Sequence, residues 1–279
     1  MKTVDWSDKV APDFRTRIIV EPDSPILALK ANRDRYTQRS QPSYAGLPYL
    51  GSQNSEDALT WNVFRSLQKA RRLDIVCSNL NIGEPQGMLL WTLAPEIDSV
   101  NVELQYAVGT LIRKFDGILR GQMTEPDVII LGTTGVAVIE CKLSEPEKPL
   151  SHLWEGSVDS VRKRLPIYRQ AGPTLLRKDV TDSQTAGIYQ LVRMAFYALQ
   201  LGKSFTSAPV VVSLANEKNW RRELPRLGKS AADLWDFFRD AVEMPNVRKE
   251  NISWQRIRGL ITDRSLDELL NYLSTHPCL

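Results

Sequence analysis

The stretch Pro126-Asp127-Val-Ile-Ile-Leu131, Gly132-Thr-Thr-Gly135, Val136-Ala-Val-Ile-Glu140-Cys141-Lys142 decides the reading of this chain. Two β-branched runs are joined by a four-residue turn with glycine at each end, which predicts a β-hairpin. Side chains at i and i+2 of a strand share a face, so Glu140 and Lys142 point the same way. A tight hairpin folds the start of its first strand back beside the end of its second, which brings Asp127 to the same patch. Two carboxylates in contact repel, and without a compensating charge one of them would keep its proton. Lys142 supplies one positive charge. A divalent cation would supply more, and hard oxygen donors suit magnesium or manganese. Such an ion polarises a phosphodiester and acidifies a bound water, while a lysine can steady the developing charge or help deprotonate that water. The chemistry to be expected is hydrolysis of nucleic acid.

Working outward, Ser55 or Asn54 can cap a helix whose first turn holds Glu56 and Asp57, and Leu59, Val63, Phe64 and Leu67 recur at helical spacing up to Arg71-Arg72. Leu73–Val76 reads as a short strand, Ser78–Gly87 as a loop, and Val102–Asp116 as a helix capped by Asn101 and stopped by Gly117. Beyond the hairpin the chain is polar and proline-rich through Pro149. Helical patterns follow at Ser157–Tyr168 and at Thr185–Leu201, the latter ended by Gly202. Pro209–Leu214 is a continuous apolar strand buried on both faces. Upstream, Arg17–Glu21 is the candidate strand, and Gln41–Asn54, with Pro42, Gly46, Pro48 and Gly51, is a loop. From Trp220 onward the pattern is mainly helical, with Ala231–Val242 and Leu266–Leu273 the clearest segments. The fold class expected is α/β, a central mixed β-sheet flanked by helices.

Asp127 after Pro126, followed after twelve intervening residues by Glu140-Cys141-Lys142, resembles the PD-(D/E)XK nuclease superfamily, the restriction-endonuclease-like proteins. The resemblance covers Ser55 to Leu214. It implies an α-β-β-β-α-β core over residues 51–215, with an N-terminal extension (1–50) and a mainly helical C-terminal segment (216–279) packed on that core. Glu56 matches the acidic residue such nucleases often carry on a helix before the hairpin. Gln190 matches the glutamine many carry on the helix after it. Tyr197 lies seven residues beyond Gln190, where the exonuclease-type spacing is four. By this resemblance Asp127, Glu140 and the main-chain carbonyl of Cys141 would hold Mg2+ or Mn2+. Glu56 would complete the metal site, Lys142 would position or activate water, and Gln190 would orient Lys142 or a phosphate. The implied activity is a divalent-metal-dependent endonuclease acting on DNA, with RNA left open, in a setting such as bacterial defence or restriction. A catalytically degraded binding module on the same fold is the alternative. Asp116, Glu125 and Glu103 are read as ordinary helix-end or loop acids.

Arg162, Lys163, Arg164, Arg169, Arg177 and Lys178 form a run without an acid between Val161 and Lys178, with Tyr168 among them. Such a run can neutralise backbone phosphates. The balance of 36 Lys+Arg against 33 Asp+Glu leaves a net charge of only +3, so any positive surface must be local. Of the 279 residues 42% are hydrophobic and 25% charged, which excludes a disordered chain. The longest apolar runs are far short of the roughly 18 residues that span a bilayer, so no membrane partner is expected. Three widely spaced cysteines, Cys77, Cys141 and Cys278, give neither a zinc spacing nor a disulfide framework. With no basic and apolar leader at Met1–Val10, a cytoplasmic location is expected. His152 and His276 read as surface residues, and the tryptophans as core. The helical tail Trp220–Leu279 could support a homo-oligomer.

Overall fold

In the computed structural model, which describes residues 4–38, 42–117, 125–143, 154–171, 175–217, 220–221, 223–224 and 229–279, the hairpin is the middle of a five-stranded sheet. The strands are β1 (Pro85–Leu90), β2 (Val128–Gly132), β3 (Gly135–Lys142) and β4 (Ala208–Ala215), two two-residue strands β5 (Glu223–Leu224) and β6 (Lys229–Ser230) that pair only with each other, and β7 (Arg248–Ser253). The sheet order is β1-β2-β3-β4-β7. Neighbours are antiparallel from β1 to β3 and parallel from β3 to β7. The fold is therefore α/β with a mixed sheet, as the pattern of apolar runs requires.

Helices cover both faces. α4 (Ser99–Leu111), α5 (Val158–Ala171), α6 (Asp182–Gly187), α7 (Tyr189–Phe205) and α8 (Ala231–Ala241) bury their apolar sides with Leu89, Ile129, Val136, Val138 and Val211 of the sheet. α1 (Pro25–Arg33), α2 (Glu56–Lys69), α3 (Asp74–Leu80), α9 (Trp254–Leu260) and α10 (Asp267–Thr275) cover the opposite face around Met88, Ile130, Ile139, Val210 and Val212. Alternate residues of β2 and β3 thus enter different cores, which is why both strands read as unbroken apolar runs. The joint between them is tight because a Cβ at Gly132 would lie 2.1 Å from the Ile82 carbonyl, and one at Gly135 would lie 2.7 Å from the Ile82 side chain.

Several expectations are corrected. Arg17–Glu21 is not a strand: Phe14–Arg17 is a 3-10 turn and the chain then runs irregularly. Leu73–Val76 is not a strand either, since it enters α3, whose Val76, Cys77 and Leu80 pack under the sheet. Part of the supposed loop Ser78–Gly87 begins β1, the first strand of the sheet. α4 starts earlier than Val102 and is capped by Asp98, whose carboxylate accepts from Asn101 N–H at 2.7 Å. Asn101 instead accepts from Met88 N–H at 2.8 Å, tying α4 to β1. Its last turn widens into a π-turn, Ile112–Asp116, which Gly117 ends with φ +72. Thr185–Leu201 is two helices broken at Ile188, and α7 passes through Gly202 to Phe205. The C-terminal segment does more than pack on the core: β7 completes the sheet, α8 joins one layer, and α9 and α10 join the other.

All three cysteines keep their thiols and are buried. His276 is buried against Trp6 (4.8 Å) and Tyr272 (5.5 Å), not exposed, and burial pulls its imidazole down to about 3. His152 and the proline-rich stretch through Pro149 lie outside the described residues. Trp61, Trp91, Trp154 and Trp254 are fully buried, as expected. Among the described residues no helix is long and apolar enough to cross a membrane.

Candidate active site

The open end of the hairpin gathers the charged residues. Val128 pairs with Ile139, so Asp127, one residue earlier, falls opposite Glu140 and shares its face. Asp127 Oδ2 accepts from the Cys141 N–H at 2.8 Å, which fixes the carboxylate across the mouth of the two strands. Lys142 Nζ lies 2.7 Å from Glu140 Oε1 and 3.2 Å from Glu56 Oε1. Glu56 is the first residue of α2. Ser55 caps that helix through Ala58 N–H at 3.0 Å, which sets the direction in which Glu56 leaves it. The second oxygen of Glu56 accepts from Leu143 N–H at 2.9 Å. The Lys142 carbonyl in turn accepts from Trp254 Nε1 at 3.2 Å, so α9 anchors the strand end from the other side.

Burial sets the electrostatics. The side chains of Glu140, Lys142 and Glu56 are 3%, 12% and 28% exposed. Burial, reinforced by the Glu140 charge, holds the Asp127 carboxyl well above its ordinary value. Burial also raises Glu56, with Lys142 opposing and Glu140 reinforcing the shift. Burial alone would lower the Lys142 ammonium, but attraction from Glu140, Glu56 and Asp127 outweighs it and holds the group well above the usual lysine value. Burial and the Asp127 charge keep the Cys141 thiol protonated, so Cys141 has only its main chain to offer.

The chain matches no protein-family model, no curated protein and no solved structure.

The donor chemistry of the site itself therefore bears the argument about a metal. Among the described residues Glu140 Oε2 is buried without a hydrogen-bond partner, although Oε1 is committed to Lys142. An acceptor left bare inside a protein is costly unless something fills it. Two hard carboxylates on one face, one with a bare buried oxygen, suit a divalent cation. Glu56 reaches the same mouth: its oxygens accept from Lys142 Nζ and from Leu143 N–H, contacts that orient the lysine. Among the described residues no three His, Cys, Asp or Glu side chains are grouped so as to hold a metal ion.

Gln190 is the second residue of α7, which returns between the parallel strands β3 and β4 and so begins toward their carboxyl ends, the end of the sheet at which Glu140 and Lys142 lie. Its backbone N–H donates to Trp154 O at 3.0 Å, and its buried Oε1 has no partner among the described residues. Ser213, the register partner of Glu140 on β4, also has a buried hydroxyl without a partner among the described residues. It went unnoticed in the sequence, although a lone serine inside Val-Val-Val-Ser-Leu was a visible signal.

Tyr197 belongs elsewhere. With Tyr168 it donates its hydroxyl to the buried carboxylate of Asp116, which Arg193 also holds at 2.7 Å (Nε) and 2.6 Å (Nη2). Asp116 is therefore no simple helix-end acid: it links the end of α4 to α5 and α7. Glu125 pairs with Arg33 at 2.9 Å, and Glu103 is exposed on α4.

The basic run divides. Arg162, Lys163 and Arg169 are exposed on α5, whose Val161, Leu165 and Tyr168 face the core, so Tyr168 does not stand among the exposed cations. Arg164 donates to the Phe115 carbonyl at 3.2 Å, Arg162 approaches Asp182 at 3.3 Å, and Arg177 pairs with Asp179 at 2.8 Å beside an exposed Lys178.

Proposed function

We propose that the chain is a divalent-metal-dependent nuclease of the PD-(D/E)XK kind, with DNA as substrate. The observation that carries this reading is the convergence of Asp127, Glu140 and Lys142 on one face of the hairpin mouth, with Glu140 Oε2 buried and unfilled. The sheet order supports it, since a helix, three antiparallel strands, a helical crossover and a parallel strand occur in that order, with α3 and α4 interposed before and after the first strand.

Asp127 and Glu140 would hold Mg2+ or Mn2+, which supplies charge neutralisation at phosphate and an acidified water. Lys142 is wedged between two carboxylates whose charges favour its protonated form, so it would serve as a positive charge for the phosphate or position the water. Glu56 and the Leu143 amide hold that lysine in place. Gln190 presents an acceptor that would take a hydrogen bond from the attacking water and so orient it. Arg162, Lys163 and Arg169 offer exposed charge to the backbone of the substrate.

Circular single-stranded DNA, plasmid and RNA, each with magnesium, manganese or chelator, separate the possibilities. The wild type is expected to cut DNA only with the metal, and Glu140→Gln or Lys142→Ala should not cut. A folded Glu140→Gln variant that cuts as well as wild type would remove the assignment. The occupation of both Glu56 oxygens favours a second reading, a binding module with an incomplete metal site. Calorimetry with manganese discriminates: binding lost in Asp127→Asn supports the nuclease, and no binding by the wild type supports the module.

A further inference from the structure

Helix α1 grips the entrance of β2 at two points. Lys30 Nζ lies 3.0 Å from Asp57 Oδ1 and 3.3 Å from Asp34 Oδ2, and sits over the Trp91 ring at 4.7 Å from its centroid. Its side chain is only 11% exposed, so these contacts occupy it fully. Trp91 donates its backbone N–H to the carbonyl of Asp127 at 3.0 Å. Nearly one turn along α1, Arg33 Nη1 meets Glu125 Oε2 at 2.9 Å, two residues before Asp127. Asp57, the partner of Lys30, is the neighbour of Glu56. Through side chains, one helix therefore reaches Glu125 ahead of Asp127, the ring of the residue bonded to the Asp127 carbonyl, and the start of the helix that carries Glu56.

The link between Lys30 and Asp127 is a strained turn. Trp91 and Thr92 both have positive φ, +49 and +69, and reciprocal hydrogen bonds of 2.9 Å between Leu90 and Leu93 close the turn around them. Two left-handed residues in succession favour asparagine and glycine. A tryptophan followed by a β-branched residue keeps this form only if its surroundings hold it. Here the Trp61 ring stacks on Trp91 at 6.1 Å with an interplanar angle of 11°, and Lys30 also lies over the Trp91 ring. Lys30 also feels the Asp127 carboxylate, which with Asp57 and Asp34 offsets the effect of burial and keeps its ammonium charged.

We propose that α1 is a positioning clasp of the active centre, in which Lys30 acts through Trp91, and Arg33 through Glu125, to fix the backbone that presents Asp127. The catalytic consequence rests on the nuclease reading. The mechanical one does not, because the hydrogen bonds and the strained turn exist whatever the reaction.

The test uses the full chain with Lys30→Met, which keeps the stem on the ring, Lys30→Arg, which keeps the charge, and Arg33→Ala at the half-exposed outer contact. Amide hydrogen exchange is followed in peptides covering 88–93, 125–131 and 208–215, and steady-state cleavage of DNA with magnesium is measured alongside. Lys30→Met should speed exchange in 88–93 and 125–131 by about tenfold and leave 208–215 unchanged. Its kcat should fall by about tenfold with KM within about twofold, and Lys30→Arg should recover most of the loss. Arg33→Ala should speed exchange in 125–131 alone. Exchange and kcat within about twofold of wild type in Lys30→Met would overturn the clasp. So would a rise spread equally over 208–215, which marks general destabilisation. If the wild type does not cut while the local exchange changes appear, the nuclease reading fails and the clasp stands.

Discussion

Replacing Lys142 with methionine tests whether the charges at the hairpin mouth form one buried unit. The ammonium lies 2.7 Å from Glu140 and 3.2 Å from Glu56. Methionine keeps most of the stem, so the loss is chiefly electrostatic. Glu56 retains the Leu143 N–H and partial access to water, whereas Glu140 is 3% exposed and Lys142 is its only hydrogen-bond partner among the described residues. Removing one member of such a pair leaves the other charge buried and uncompensated, at about 3–5 kcal/mol. At about 2–4 °C per kcal/mol for a domain of this order of size, the melting temperature should fall by about 6–20 °C. Urea and thermal unfolding at pH 7 in chelator read this directly. In a Glu140→Gln background no buried charge is stranded, and the same substitution should cost only about 1 kcal/mol. The coupling between the two positions is then about 2–4 kcal/mol. Magnesium should restore part of the lost stability to the single variant, because an ion that binds only the folded chain stabilises it by mass action. A loss below about 1 kcal/mol, or an equal loss with and without Glu140, refutes the reasoning. Stability must accordingly be measured whenever Lys142 variants are assayed for cleavage.

The Asp127 carboxyl is raised in the folded chain, so the native state holds that proton more tightly than the unfolded state does. The associated stability is present below the unfolded value and is lost as pH rises through the raised folded one. Asp127→Asn, which cannot ionise, should therefore gain stability relative to wild type between pH 4 and pH 7 in chelator while losing metal-dependent cleavage; denaturant midpoints at the two pH values showing the opposite trend would contradict this. Asp116→Asn should cost about 3–5 kcal/mol in urea unfolding, because Arg193 would be left buried without its carboxylate, and the metal dependence of cleavage should not change. Gly132→Ala places a methyl 2.1 Å from the Ile82 carbonyl and should destabilise by about 1–3 kcal/mol or more, read as a lower melting temperature.

The elements legible in the sequence are those whose side chains meet the same environment throughout. β2, β3 and β4 are buried on both faces and read as apolar runs. α2 carries its cap, its first-turn acids and its apolar stripe together. The edges of the sheet were not legible. β1 opens with Pro85-Gln86-Gly87, which reads as a turn, and only its second half is buried. β7 is Arg248-Lys-Glu-Asn-Ile-Ser, with Ile252 alone fully buried. An edge strand can leave much of its surface in water, so its pattern carries little periodicity. The break at Ile188 and the αL end of α7 at Thr206 likewise depend on tertiary packing that no local residue announces. Lys30 and Trp91 joined the site only through folding, since α1 reaches β2 across nearly a hundred residues.

The hairpin residues were legible for a different reason. A charged residue at the end of an apolar strand breaks the pattern that burial demands, and such breaks concentrate where a chain does something besides fold. Asp116 shows that the anomaly alone does not decide. It too is a buried acid, but two tyrosine hydroxyls and Arg193 satisfy both its oxygens, so nothing further is needed to explain its place. Glu140 differs in one atom. Its Oε1 is matched by Lys142, and its Oε2 is buried and empty, beside a carboxylate held above its ordinary pKa. Saturation is the mark of a structural charge. An unsaturated acceptor, on a face shared with a second carboxylate whose pKa burial raises, is what a cation would correct, and on the proposed reading that is the difference between Glu140 and Asp116.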